Sequence, residues 1–376
     1  MPRNGSKTYI LALKIKTNHL ARQKHLKISR PSGCSNGKNR VYIGHSTRKG
    51  IGPLKVNDIR QEALEAEQRI RPYIRKTPVE FSSYLSQKGN FKVYLKLENI
   101  QVTGSFKFRG AINKLLSLSR EDRNKGVVTA SSGNHGCAFA HACHILGLKG
   151  TTYLPNYASP AKIEAIRQYD VDVQFYGDDC GQETEVHARK IAEETGQIYI
   201  SPYNDPKVIG GQGTIGIELE DQVDKIDTVF VCVGGGGLIG GIAGYLKSIN
   251  TNIEFFGCQP ANSAVMYESI KAGHIIEMAS LPTLSDGSAG GIEPGAITFD
   301  ICRDYVDDYI LVSEEEIKEA ILFVLEKHHM MIEGAAAVAV ASFLKRKHQL
   351  SGRHVVLVIS GAKISLETLK KILKER

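Results

Sequence analysis

The stretch "TVFVCVGGGGLIGGIAGYL" (Thr228–Leu246) sets a β-branched apolar run, four glycines and an apolar helical pattern end to end. A strand that turns through glycines into a helix aims backbone N–H groups at one point. The helix N-terminus adds a partial positive charge there, so the turn reads as a cradle for an anion. A Walker A loop would need Lys then Ser/Thr after its last glycine, and neither follows. A dinucleotide fingerprint does match as Gly235-x-Gly237-x-x-Gly240, but it requires an acid at the end of the next strand to hold a ribose. That strand ends "FFGCQP", with Cys258 and Gln259 in the acid's place. A plain tight turn explains one or two glycines, not four in succession. The reading that remains is a cradle for a lone phosphate group without an adenosine ribose.

Outward from this stretch the same alternation recurs. Apolar, β-branched runs lie at 91–98, 126–130, 150–155, 172–176, 253–258 and 354–360, and helical patterns at 60–70, 160–169, 184–195 and 313–328 fall among them. The last opens with a capping box, Ser313 with Glu316. Strands alternating with helices of this length predict an α/β fold with parallel sheets covered on both faces. There is no internal repeat and no low-complexity linker, so a second domain is expected as an insertion. The expected division is a basic leader at 1–50, a large domain from 51–125 and 204–376, and a small inserted domain at 126–203.

The formal net charge of +8 is misleading. The first fifty residues hold twelve Lys and Arg and no acid, leaving 36 basic against 40 acidic residues beyond them, a net of −4. The body therefore carries no basic footprint for nucleic acid. The leader is expected to be disordered, and it is either a transit peptide or the product of a start placed upstream. No apolar run is long enough to cross a membrane. The seven cysteines are scattered, odd in number and without a C-x-x-C pair, which points to a reducing compartment and away from a zinc site.

Two further turns join strand to helix. "VVTASSGNHGCAFAHA" gathers Ser131, Ser132, Gly133, Asn134 and His135 at a helix start, where hydroxyls, an amide and free N–H groups suit a carboxylate. An ordinary Ser/Asn cap is the plainer alternative. "TGSFKFRGAINKL" (Thr103–Leu115) sets Lys107 between Phe106 and Phe108. Such a lysine either snorkels to water or is partly desolvated, which lowers its pKa and makes it a nucleophile toward a carbonyl. A carbonyl cofactor that also bears a phosphate is pyridoxal phosphate, and under that reading the lysine and the tetraglycine loop explain each other.

"LENIQVTGSFKFRGA", "ASSGNHG" and "GGGGLIGG", in this order, resemble the threonine dehydratase/serine racemase group of fold-type II pyridoxal-phosphate enzymes, over about residues 52–376. The resemblance implies two open twisted parallel-sheet domains of the tryptophan synthase β-like kind, with pyridoxal 5'-phosphate between them. It implies that Lys107 forms the Schiff base with the cofactor and moves the α-proton, and that Phe106 packs on the cofactor ring. Asn134 would bond the ring hydroxyl. Gly234, Gly235, Gly236, Gly237 and Leu238 would hold the phosphate, and Ser360 would face the pyridine nitrogen. Ser131, Ser132, Asn134 and His135 would hold the substrate carboxylate. The implied reaction is α,β-elimination from L-threonine and/or L-serine to a 2-oxo acid and ammonia, in a cytoplasmic homodimer. Ser132, on the face opposite Lys107, leaves a racemase open as an alternative; a lyase for another β-hydroxy amino acid and a non-catalytic protein of this fold also stay open.

The sequence departs from the family pattern in several places. Ser360-Gly361-Ala362-Lys363 stands where S-G-G-N is usual, and Cys137 where glutamine commonly follows the S-S-G-N-H-G loop. Gln259 and Val265 occupy the places of a Glu and an Asp that bind a divalent cation in some members, so no metal is expected. Only 16 residues follow Ser360, so an appended regulatory domain is not expected.

Overall fold

A β-branched run buried on both faces belongs in a parallel sheet, and the tetraglycine strand, Thr228–Cys232, is buried at all five positions. In the computed structural model, which describes residues 55–87, 89–178 and 181–375, it is one of ten strands. These are β1 (Val79–Phe81), β2 (Lys92–Leu97), β3 (Val127–Ala130), β4 (Gly150–Leu154), β5 (Asp172–Phe175), β6 (Ile198–Tyr199), β7 (Thr228–Cys232), β8 (Glu254–Pro260), β9 (Asp308–Val312) and β10 (His354–Ile359). The leader lies outside the described residues.

Two sheets form, in the orders β1-β2-β10-β7-β8-β9 and β5-β4-β3-β6. Every pairing is parallel except β1 with β2. This is the two-sheet α/β architecture the alternation predicts. β1, β6 and β9 were not expected: they are two to five residues long, and short edge strands leave little periodic signal.

The order of the first sheet positions the site. β10 lies between β2 and β7, so the segment after β2, which leads to Lys107, the residue after β10, Ser360, and the glycines after β7 emerge side by side. Ligands of open α/β sheets bind at such carboxyl ends. A bridge between Ser105 and Gly361, and a bond from the Phe106 N–H to the Ser360 carbonyl (3.1 Å), tie the first two together.

The lysine's helix, Lys107–Ser117, is shared between the layers. Phe108, Ala111, Ile112 and Leu115 pack with Cys137, Ala138 and Phe139 of helix Asn134–Leu146, beside the second sheet. On another side Arg109, fully buried, donates to both oxygens of Glu98 (each 2.8 Å) and both of Glu218 (2.8 and 2.9 Å). Lys96 adds a 2.6 Å bond to Glu218. Burial opposes these charges, but the facing cations hold the Glu218 carboxyl down at about 2. Fork-to-carboxylate geometry of this kind fixes orientation as well as contributing energy. The start of the lysine's helix is thus clamped to Glu98, the residue after β2, and to helix Pro206–Gln222.

Candidate active site

Lys107 is the first residue of its helix, where the macrodipole already disfavours a cation. Its Nζ donates to the Pro202 carbonyl at 2.8 Å and lies 5.1 Å from the centre of the Phe106 ring. Burial pushes its pKa down to about 8, although the carboxylates of Glu185 and Glu333 pull the other way. Loss of hydration wins because it acts on the charged form directly. Of the two flanking rings only Phe106 faces the amine. Phe108 is fully buried, and its ring lies 5.2 Å from that of His141. One residue of helix turns a side chain by about 100°, so the pattern Phe-Lys-Phe does not place two rings on one group.

After β7, the backbone N–H groups of Gly234 through Leu238 have no acceptor among the described residues. The glycines are required for two reasons. Gly236 has φ +85°, the left-handed region that side chains disfavour. At Gly235 a Cβ would meet the Tyr203 ring at 2.4 Å. Tyr203 therefore packs where the loop has no side chains, and the loop presents bare donors at a helix N-terminus.

Helix Asn134–Leu146 begins directly after the serines. Ser131 Oγ accepts from the Gly133 N–H (3.2 Å), while the half-buried Ser132 hydroxyl has no partner among the described residues. The Asn134 amide donates to both oxygens of Glu333 (each 2.9 Å), and its buried Oδ1 has no partner. His135 is different. Its ring is buried against Thr129 Oγ1 (3.1 Å) and the Ile200 carbonyl (3.3 Å), and burial pushes its pKa down to about 3. Its imidazole stays neutral inside the small sheet's layer, so only its backbone N–H is available at the helix start. Ser360, 2 % exposed, has a buried hydroxyl without a partner.

Glu333 is the residue the sequence did not announce. It precedes the alanine-rich helix Gly334–Arg346, where it reads as an N-terminal acid and nothing more. In the fold it is 3 % exposed, bonded by Asn134 and by the Lys363 N–H (3.1 Å), and burial raises its carboxyl to about 7. Lys363, one of the family departures, contributes that N–H while its side chain is exposed. Cys137, the other, is 3 % exposed and packs in the apolar core with Phe108. Gln259 spends its amide on the Val233 carbonyl (3.1 Å) and the Tyr267 N–H (2.8 Å), and Val265 is buried. Among the described residues no three His, Cys, Asp or Glu side chains are grouped to hold a metal.

A lysine of lowered pKa, a bare glycine cradle and two orphaned buried polar atoms thus surround the carboxyl ends of three adjacent strands. The family model for pyridoxal-phosphate dependent enzymes matches residues 70–361. The chain belongs to that family. It is 40% identical, over 322 residues, to the catabolic L-threonine dehydratase of Escherichia coli, covering 85% of this chain and 96% of the relative. Among solved structures it is similar to the processed form of threonine deaminase isoform 2 from Solanum lycopersicum, with a TM-score of 0.80, 34% identity, and 85% and 88% of the two chains covered. It is also similar to maize serine racemase, with a TM-score of 0.78, 33% identity, and 86% and 98% covered.

The residues present fit the family's cofactor. A pyridoxal ring has a hydroxyl that the orphaned Asn134 Oδ1 can accept from, and a nitrogen that the orphaned Ser360 hydroxyl can bond. The free N–H groups of 234–238 match its phosphate, and the Lys107 amine matches its aldehyde.

Proposed function

We propose that this protein is an ammonia-lyase that converts L-threonine and/or L-serine to a 2-oxo acid and ammonia by α,β-elimination. The observation that carries the reading is the Lys107 amine, brought to a pKa of about 8 by burial and set beside a buried neutral hydroxyl at Ser360. The threonine dehydratase from Escherichia coli and the threonine deaminase from Solanum lycopersicum support the choice of substrate.

When bound, pyridoxal phosphate supplies an electron-withdrawing ring that stabilises the negative charge left on the α-carbon. In this reading Lys107 attaches the cofactor, and its free amine then takes the α-proton. Near neutral pH a useful fraction of that amine is unprotonated, as a general base requires. The N–H groups of Gly234 to Leu238 hold the phosphate, Asn134 and Phe106 fix the ring, and Ser360 faces its nitrogen. A hydroxyl there, in place of a carboxylate, leaves that nitrogen less protonated. With this neutral partner at Ser360 a bound cofactor would draw off less of the charge, which would favour loss of the β-hydroxyl. The substrate carboxylate is held by the Ser131 and Ser132 hydroxyls, Asn134 and the N–H of His135.

Residues 126–203 form, in this proposal, the inserted unit that closes over the substrate and excludes water. A homodimer is part of the same proposal; exposed Phe81 and Tyr84 at edge strand β1 and the helix after it support it, and sedimentation tests it. The cytoplasm as compartment is supported by the five cysteines among the described residues, all free and buried.

Racemisation is the second reading, favoured by the unpartnered Ser132 hydroxyl. The experiment is incubation of protein and pyridoxal phosphate with L-threonine or L-serine, followed by assay of 2-oxo acid and ammonia and chiral analysis of the remaining amino acid. Release of both products supports the lyase; a D-amino acid without keto acid supports the racemase.

A further inference from the structure

Elimination of a hydroxyl needs a proton for the leaving oxygen, because hydroxide is a poor leaving group. Among the chain's own side chains, the candidates in the site are His135, Ser132, Glu333 and Glu185. His135 is buried against Thr129 and Ile200, held neutral, and turned away. Ser132 has the high pKa of an alcohol. Glu333 has both carboxyl oxygens bonded by Asn134 and a third bond from the Lys363 N–H. Glu185 is left. It belongs to helix Gly181–Thr195, which packs Ala188 and Ala192 on Val128 and Ala130 of β3.

Its surroundings are those of a positioned acid. Tyr199, at the end of β6, donates its hydroxyl to Glu185 Oε1 at 3.1 Å. Three residues later the same segment presents the Pro202 carbonyl that receives the Lys107 amine. Glu185 Oε2 has no hydrogen-bond partner among the described residues, and the side chain is 22% exposed, so one oxygen opens onto accessible space. The segment from Tyr199 to Pro202 thus contacts both the Glu185 carboxylate and the Lys107 amine, and the two charges act on each other. The groups facing Glu185 are Arg189 one turn on (4.0 Å), stacked on the Tyr199 ring, Glu293, which is paired to Arg189, and Lys107. Burial raises the Glu185 pKa, Glu293 adds to that, and Arg189, Tyr199 and Lys107 only partly offset it.

We infer that Glu185 is a further catalytic residue, the general acid that protonates the β-hydroxyl of the amino-acid substrate through Oε2; this rests on the lyase reading above. In the step, the α-C–H bond breaks and its proton goes to Lys107 Nζ. The electron pair left behind becomes the second Cα–Cβ bond. The Cβ–O bond breaks with its pair on oxygen, the Glu185 proton completes an O–H bond, and water departs. Passage of the proton from the Lys107 ammonium back to the Glu185 carboxylate restores both groups.

The test uses a leaving group that needs no proton. Full-length protein loaded with pyridoxal phosphate is given L-threonine and, separately, β-chloro-L-alanine, from which chloride leaves unaided. Glu185→Gln keeps the shape and the bond to Tyr199. It is expected to lose about 10²–10⁴-fold in kcat on L-threonine, with the ratio of the two substrates shifted by at least about 100-fold toward the chloride. An equal loss on both substrates, or none on L-threonine, overturns the inference. Failure of the unaltered protein to act on L-threonine or L-serine overturns the lyase reading itself, and is seen before any variant is compared. A readout apart from turnover is infrared difference spectroscopy of the cofactor-free protein. Two protonated-carboxyl bands that titrate away as pH rises are expected, one lost in Glu185→Gln and the other lost in Glu333→Gln. Retention of both bands in Glu185→Gln overturns the assignment.

Discussion

Arg109 and Glu218 meet through two bonds of 2.8 and 2.9 Å in a site that excludes solvent, and Arg109 holds Glu98 in the same bidentate way. Arg109 is two residues beyond Lys107, so this pair sets where the amine's helix begins. Truncating it leaves two buried carboxylates short of their main partner, a loss that typically costs about 3–5 kcal/mol. Arg109→Met is expected to lower unfolding free energy in denaturant by that amount. A change under about 1 kcal/mol would show that Lys96 and Arg71 suffice for the carboxylates.

Gly236→Asp combines backbone strain with charge. The position has φ +85°, and a Cβ there would lie 2.8 Å from Cys302 Sγ and 3.0 Å from the Met266 methyl. A carboxylate would also face the phosphate carried by the cofactor. Together these predict a Kd for pyridoxal phosphate raised at least about 100-fold, or roughly 3 kcal/mol, read by absorbance titration. Unchanged affinity would place the phosphate elsewhere.

Glu333 gives a signed pH dependence. In the unfolded chain its carboxyl has the ordinary value of 4.5, and in the fold it keeps its proton up to about 7. Between these values the folded state binds more protons, so stability from this group is full below about pH 4.5 and is lost as pH rises through about 7. The difference between unaltered protein and Glu333→Gln in the cofactor-free state is expected to change by up to about 3 kcal/mol over that window. A flat difference would mean Glu333 is ionised in the fold.

The Lys107 amine predicts when the cofactor is taken up. Its free-base form attacks the aldehyde, so uptake is expected to accelerate with pH and level off above about 8. A rate still climbing toward 10.5, the ordinary lysine value, would show an amine that is not desolvated.

Much of the candidate site was legible because its turns are local. Gly234–Leu238, Ser131–His135 and Lys107 each lie at the junction of a strand and a helix, and residue type alone marks such junctions. What the sequence hid depends on packing between distant segments. Glu333 acquires meaning only when β10 brings Gly361 and Lys363 beside it, and Glu185 is one acid among several in "TEVHARKIAEET" until Tyr199 faces it. The inward turn of His135 and the separation of Phe108 from Lys107 follow from which face of each helix is buried. Short strands such as Ile198–Tyr199 exist through their neighbours and carry no pattern of their own.

The central claim is that Lys107 attaches the cofactor, and it can be read directly. Protein loaded with pyridoxal phosphate is reduced with borohydride, digested and mapped by mass. The account predicts one pyridoxyl group per chain, on the peptide containing Lys107, and none on Lys107→Ala. A label on Lys363, Lys96 or any other lysine, or none at all, would contradict it.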